Sequence, residues 1–237
     1  MSHFKIAKSG HPTKMPHKVK IQEIDFITHN VLQIRTQRPA DYDFEPGQAT
    51  EVALDKEGWR EKKRPFTFTG LPDDGFLEFT IKVYPDHNGV TDKLQTLEQD
   101  DHLLLEDVWG AISYQGPGVF LAGGAGVTPF IAIFRHLAQQ NQLEGNRLLF
   151  ANNREKDIIM QTEFEKWLGK DFINILSEEQ SSKYPHGFID TQFLKEHITD
   201  KDAKFYLCGP PPMMKSVQKD LEALGISKNQ MVAEELS

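Results

Sequence analysis

The chain has a single cysteine, Cys208, among its 237 residues. That excludes an intramolecular disulfide and any four-cysteine iron–sulfur or zinc site built within this chain. Electron transfer would therefore need a bound organic cofactor. No apolar run approaches the ~18–20 residues that span a bilayer, so no membrane span is expected. The N-terminus lacks the apolar stretch of a signal peptide, which makes the cytoplasm the expected location. Cations are outnumbered: 27 Lys and Arg against 35 Asp and Glu leave a net charge of −8. Both halves are mildly acidic, so no basic domain is available for a nucleic-acid backbone and no nucleic-acid partner is expected. The exception is the N-terminus, where Lys5, Lys8, Lys14, Lys18 and Lys20 precede the first acid, Glu23; it reads as a solvated arm.

Several catalytic signatures are missing too. The nine histidines show no metal-ligand spacing and none pairs with an evident Ser/Asp set, so no metal site is expected. There is no Gly-x-Ser-x-Gly elbow. Internal repeats and low-complexity tracts are also absent. What remains is an ordinary globular mix, 38% apolar and 26% charged, long enough for one large domain or two of ordinary size.

Two rhythms divide the chain. Up to about residue 115 it reads as short strands: Val19–Ile21, Val31–Ile34, Thr50–Leu54, Phe76–Val83 and His102–Leu105, separated by Pro46-Gly47, Pro72-Asp73-Asp74-Gly75 and Asn88-Gly89. That pattern predicts an antiparallel barrel or sandwich, and a barrel is the preferred reading. After Gly116-Pro117-Gly118 the pattern alternates strand and helix. Strands are predicted at Val119–Ala122, Leu148–Ala151, Phe172–Leu176 and Phe205–Cys208. Helices are predicted from Thr128, as a cap before Pro129, and over Gln161–Leu168, Thr191–His197 and Pro212–Leu224, the last with Met213, Val217, Leu221 and Leu224 inward. Alternation of this kind implies a doubly wound parallel sheet. The expected organisation is a β-barrel over residues 1–116 and an α/β domain over 117–237.

Three motifs could carry chemistry. Gly123-Gly124-Ala125-Gly126-Val127-Thr128-Pro129 joins a strand to a helix; glycines admit a pyrophosphate and the helix start offers N–H groups and positive potential. Pro129 stands where the dinucleotide fingerprint has a third glycine, and the Lys-Ser/Thr of an ATP loop is lacking. A plain tight turn is the alternative. Cys208-Gly209-Pro210-Pro211-Pro212-Met213 ends a strand where open α/β sheets bind ligands, although a lone cysteine also reads as a small buried hydrophobe. In Arg64-Pro65-Phe66-Thr67-Phe68-Thr69, Arg64 could grip a phosphate bidentately, or Phe66 and Phe68 could simply pack an edge strand inward.

Taken in order, Arg64-Pro65-Phe66-Thr67, His87-Asn88-Gly89-Val90-Thr91, Gly124-Ala125-Gly126-Val127-Thr128-Pro129 and Cys208-Gly209-Pro210-Pro211-Pro212-Met213 resemble the ferredoxin–NADP reductase superfamily. The resemblance runs from about residue 18 to the C-terminus. It implies an FAD-binding barrel followed by an NAD(P)-binding domain. Arg64, within Arg64-Pro65, would hold the flavin phosphate, Phe66 would lie on the isoalloxazine ring and Thr67 would hydrogen-bond near flavin N5. Lys82, Val83 and Tyr84 would line the flavin, and Gly89, Val90 and Thr91 would start a short helix at the pyrophosphate. Gly124, Gly126 and Thr128 would hold the pyridine nucleotide, with Cys208 and Gly209 beside the nicotinamide. Two departures stand out: Phe66 replaces a common Tyr, and Glu234 is followed by Leu236 where many relatives carry an aromatic lid.

The resemblance implies a flavoenzyme that takes hydride from NAD(P)H and passes single electrons to a small carrier such as ferredoxin or flavodoxin. Thr67 and Cys208 would act by positioning, and Glu234 could relay a proton. NADPH is slightly preferred on the strength of Arg154, beside Lys156, whereas Glu155 or Asp157 would favour NADH. Arg60, Lys62, Lys63 and the early lysines could form a docking patch for an acidic carrier. The rivals are a reductase component of an oxygenase system, a diaphorase, and a non-catalytic flavin- or nucleotide-binding redox sensor. The oligomeric state is left open.

Overall fold

A computed structural model of the protein describes residues 15–84, 88–110 and 112–233. Six strands form the N-terminal unit: β1 (His17–Thr28), β2 (Val31–Gln37), β3 (Ala49–Leu54), β4 (Arg64–Thr67), β5 (Phe76–Lys82) and β6 (His102–Trp109). All neighbours pair antiparallel, in the order β4-β3-β6-β1-β2-β5. The two ends of that order meet through the bridge between Phe68 and Phe79, and the Thr69 N–H donates to the Glu78 carbonyl at 2.8 Å. The sheet thereby closes on itself, which removes its edges. A short helix, α1 (Val90–Leu94), connects β5 to β6.

Alternation within the strands explains the barrel's filling. Leu77, Phe79 and Ile81 of β5 point inward with Leu32 and Ile34 of β2 and Val19 and Ile21 of β1. Glu78 and Thr80, on the opposite face of β5, ought to meet solvent, yet both are buried. The second domain lies over that face, and Arg135 reaches the Glu78 carboxylate.

The C-terminal unit is a five-stranded sheet made of β7 (Gly118–Gly123), β8 (Arg147–Asn152), β9 (Phe172–Leu176), β10 (Lys204–Cys208) and β11 (Met231–Ala233). Every pairing is parallel, in the order β11-β10-β7-β8-β9. Helices α2 (Thr128–Gln139), α3 (Gln161–Leu168), α4 (Thr191–His197) and α5 (Pro211–Ala223) cover both faces. Phe120, Phe150 and Tyr206 pack toward α2 and α3, while Leu121, Leu149 and Leu207 pack toward α4 and α5. A sheet covered on both sides needs strands with mainly apolar centres, and Val119–Ala122, Leu148–Ala151 and Phe205–Leu207 provide them.

Three details differ from expectation. Thr128 is not a cap: a 3₁₀ turn over Gly124–Val127 runs straight into α2, so Thr128 already lies in the first turn and its hydroxyl donates to the Ala125 carbonyl at 3.0 Å. In α5 the buried face is Met214, Val217 and Leu221; Met213 is displaced to the strand ends, where it packs over Gly123 and Gly209. The strand β11 lies beyond every predicted element. It pairs with β10 at the sheet edge.

The segment joining the domains is tied down by Tyr206, whose hydroxyl donates to the Gly116 carbonyl at 2.7 Å and accepts from the Gln115 N–H at 2.8 Å. Burial pushes the Tyr206 phenol up to about 12, and burial does the same to Tyr42, which donates to the Glu106 carbonyl. Both folded values exceed the ordinary value of about 10. The unfolded chain therefore loses these protons first, and stability falls as pH rises from about 10 toward 12. Tyr206→Phe should cost roughly 1–3 kcal/mol in urea unfolding at neutral pH and should make the alkaline decline shallower.

Candidate active site at the sheet switch point

The strand order places β7 beside β10, and the chain leaves these two strands toward opposite faces of the sheet. Between their C-terminal ends a crevice must open. Its walls come close. A Cβ placed on Gly126 would stand 2.3 Å from the Cys208 carbonyl oxygen, so the turn after β7 touches the end of β10 backbone to backbone. A cavity of about 810 Å³ lies over this contact, within the range of small-molecule sites. It is lined by the turn Gly123–Gly126, by Cys208 and Gly209, and by Lys82 and Tyr84 of the barrel. Both domains therefore wall one cavity.

The sequence-predicted residues are placed unequally with respect to this cavity. Lys82, Tyr84, Gly124, Gly126, Cys208 and Gly209 are brought together around the cavity. Thr128 stands one turn behind it, holding the 3₁₀ turn closed. Val83 turns its side chain into the barrel core, leaving only its backbone on the site's side. Arg64, Pro65, Phe66 and Thr67 form β4, away from the cavity lining: Arg64 and Pro65 are exposed, and Phe66 and Thr67 half-buried. Phe68 is fully buried, so the inward-packing alternative applies to Phe68, whereas Phe66 only leans on the core. Glu234, Leu236 and His87 lie outside the described residues.

The barrel's cations separate into engaged and available ones. Lys18 and Arg60 share Asp55, Lys20 meets Asp100, Lys56 meets Asp101 and Lys63 meets Glu106. The hydrogen bonds from Lys18 and Arg60 hold the Asp55 carboxyl down at about 2. Lys62 lies over the Trp59 ring. Arg64, by contrast, makes no ion pair among the described residues and donates only to the Lys63 carbonyl. An exposed guanidinium beside three engaged neighbours is suited to a phosphate. At α1, Gly89 is the N-cap and no side chain caps the first turn, so the N–H groups of Val90 and Thr91 are not claimed by a cap.

At the nucleotide end, Arg154 does not line the cavity. Its guanidinium faces Glu178 at 3.6 Å. Asp157 accepts from the Arg154 N–H and meets His29 of the barrel at 3.4 Å, which takes it out of the ligand's reach. The sequence reading missed the residues at the neighbouring strand ends: Asn152, the last residue of β8, and Asn153 after it, Ser177 after β9, and the exposed Phe188. Asn152 is the informative one. Its side chain is buried, lines the cavity, and has neither amide atom hydrogen-bonded within the described residues. An unsatisfied buried amide costs about 1–3 kcal/mol per group, so such a side chain is a natural ligand contact. The strand-end rule would have found it had it been applied to β8 as well as to β7 and β10.

Residues 16–128 match the family model of an FAD-binding domain, and residues 120–219 that of an oxidoreductase NAD-binding domain. The NADH-cytochrome b5 reductase 1 of Aspergillus terreus is 30% identical over 97% of this chain and 86% of its own length. The chain belongs to the ferredoxin–NADP reductase-like family. A solved ferredoxin NADP+ reductase from Neisseria gonorrhoeae with bound FAD and NADP superposes with a TM-score of 0.82 at 18% identity, covering 93% of this chain and 98% of that one. The FAD/NAD-binding domain of the Vibrio cholerae nitric oxide dioxygenase gives 0.82 at 24% identity, with the same coverage. Those two share the fold.

As a member of this family the protein is an NAD(P)H-dependent flavin oxidoreductase, with FAD on the barrel and the pyridine nucleotide on the α/β domain. The residues present fit both groups: an available guanidinium and uncapped amides on the barrel, and an orphaned amide with a glycine-lined turn at the sheet ends. No helix among the described residues is long and apolar enough to cross a membrane, and no group of metal-binding side chains occurs among them.

The glycines make different demands. Gly124 has φ +51° but open space around its Cβ position, whereas Gly126 has ordinary φ and no space. Gly126→Ala should therefore push β10 away and weaken NADH or NADPH binding by at least about tenfold, while Gly124→Ala should cost only the roughly 1–2 kcal/mol of left-handed strain. Titration of the holoprotein with each nucleotide, alongside thermal unfolding, checks both.

Proposed function

We propose that the protein transfers hydride from NADH to FAD held by β4, β5 and α1, and delivers the electrons one at a time to a small carrier protein. The observation that carries this reading is the single cavity walled by Lys82 and Tyr84 on one side and by Gly124, Gly126, Cys208 and Gly209 on the other. Bound FAD supplies the conversion between two-electron hydride chemistry and one-electron release. The chain's own contribution is placement. Arg64 and the first amides of α1 bind the flavin diphosphate, and Phe66 and Thr67 orient the ring. The Gly123–Gly126 turn brings the nucleotide's diphosphate to the start of the 3₁₀ turn and α2. Cys208 and Gly209 set the nicotinamide height. Asn152 donates and accepts at the nucleotide's far end. Most of the barrier lowering asked of these residues is proximity.

NADH is favoured over the NADPH preference that Arg154 first implied. Glu178 opposes the Arg154 guanidinium, and Glu155 and Glu179 lie beside it, joined by the Glu155 N–H to the Glu179 carboxylate. A 2′-phosphate would enter a negative surround. Two curated relatives, the NADH-cytochrome b5 reductases 1 of Aspergillus terreus and Neosartorya fischeri, support the same choice. For the carrier, ion pairing of Lys18, Lys20, Arg60 and Lys63 leaves little free positive charge on that side of the barrel. A carrier that docks by modest electrostatics fits this surface better than one that relies on a strongly acidic face.

The anaerobic visible spectrum tests the core of the proposal: a flavin band should bleach faster with NADH than with NADPH, and absence of rebound FAD would sink the reading. Arg64→Ala should lose FAD on gel filtration, and Thr67→Ala should retain FAD but slow its reduction by about tenfold or more. In Glu178→Gln the NADH-over-NADPH ratio in kcat/KM should fall by several-fold, on the order of the 1 kcal/mol that one exposed charge pair carries. Multiple turnover with a one-electron acceptor separates this enzyme from a non-catalytic sensor.

A further inference from the structure

Glu78 is 1% exposed, sits mid-strand in β5, and carries three donors on its two carboxylate oxygens. The Thr69 hydroxyl donates to Oε1 at 3.0 Å and the Arg35 Nε donates to Oε2 at 3.0 Å, both from within the barrel. The third donor, Arg135, also reaches Oε1 and comes from α2 of the other domain. The same Arg135 nitrogen donates to the Thr69 carbonyl at 2.7 Å, and its second terminal nitrogen leans on the Met160 sulfur at 3.9 Å. None of these groups faces the cavity.

What they join matters. Thr69 lies two residues beyond Thr67, on the same extended segment that carries Arg64, Phe66 and Thr67. Arg135 lies seven residues into the helix that begins at the Gly124–Val127 turn, about 10 Å along a rigid rod from it. One guanidinium thus holds the continuation of the flavin strand and the helix that springs from the nucleotide turn. Buried charge is expensive to leave unpaired, so the latch has one low-energy arrangement and little freedom to slide.

We propose that Arg135 is a positioning residue for hydride transfer: through Glu78 and the Thr69 carbonyl it fixes the spacing between the flavin strand and the nucleotide turn, without touching either ligand. The inference rests on the proposed function of the cavity. Errors of about 1 Å in such spacing cost on the order of a hundredfold in rate. Arg35 provides the internal comparison, since it pairs with the same carboxylate but stays within the barrel.

The test is anaerobic stopped-flow reduction of the FAD-loaded full-length protein by NADH over a range of concentrations, for wild type, Arg135→Met and Arg35→Met, with thermal midpoints measured on the same samples. The expected result for Arg135→Met is full FAD content, an apparent NADH dissociation constant within about threefold of wild type, and a limiting reduction rate lowered at least about tenfold. Arg35→Met should lower the midpoint comparably while leaving the limiting rate within about twofold. If Arg135→Met does not accumulate as folded holoprotein, Arg135→Lys, whose shorter side chain keeps the charge opposite Glu78, is held to the same criteria. A limiting rate unchanged in the Arg135 variant, or lowered equally in Arg35→Met, would overturn the positioning role and leave the proposed function standing. A wild-type protein whose flavin neither nucleotide bleaches would overturn the proposed function and this inference together.

Discussion

The candidate site depends on β7 and β10 lying side by side as parallel neighbours while their chains depart to opposite faces of the sheet. Two parallel strands that turn the same way would close over their own ends; two that turn apart leave a gap there, and the gap is the site. The backbone then has to approach itself. Gly126 against the Cys208 carbonyl is the close backbone contact at the strand ends, and it lets the first turn of α2 present its amides into the crevice rather than stand back from it. The motif Gly124-Ala125-Gly126 and the motif Cys208-Gly209 are thus two sides of one contact. Neither has its meaning without the other.

The second constraint is that a site shared between two domains must be held at a fixed width. The outer face of β5 should be polar and wet in an isolated barrel. Here it carries Glu78 and Thr80 in full burial, because α2 docks on it. Apolar packing adds to the joint: Val31, at the start of β2, belongs to the core cluster of the α/β domain, and Gly47 leaves room for Ile112 and Ile133. Helix α2 is consequently buried on most of its circumference, including Ile131 and Ala132, which a one-faced amphipathic helix would have exposed.

These two constraints explain which parts of the structure were legible in the sequence. Elements whose periodicity reports a local environment were plain: Gln161–Leu168, Thr191–His197 and Phe172–Leu176 coincide with α3, α4 and β9. The glycine and cysteine motifs could be placed because the turn chemistry they need is local. What escaped was set by other parts of the chain. Nothing around Glu78 says that Arg135, 57 residues later, will cover it. Met213 and Met214 are interchangeable by composition, and only the approach of Gly123 and Gly209 decides that Met213 lies over the strand ends. The short β11 has three residues and no pattern of its own; its pairing with β10 makes it a strand. Asn152 follows a short apolar run and carries no signal of its own, and the burial of its amide without hydrogen-bond partners among the described residues becomes visible only when β8 ends beside the crevice.

The surface charges show the same dependence on placement. Counted along the chain, Arg60, Lys62, Lys63 and the early lysines look like a positive patch on an acidic protein. In the fold, β6 and the turns at Asp55 and Asp100-Asp101 set a carboxylate beside Lys18, Lys20, Arg60 and Lys63. Exposed pairs of this kind add little stability, typically under about 1 kcal/mol each, but they cancel the field that would steer an acidic partner from a distance. Arg64 is left out of the pairing. A cation excluded from every salt bridge among the described residues, on the strand whose continuation meets the other domain at Thr69, keeps its full charge. The pairing that weakens long-range attraction of a carrier thus also leaves Arg64 as the unpaired arginine on β4, which is what the phosphate role proposed for it requires.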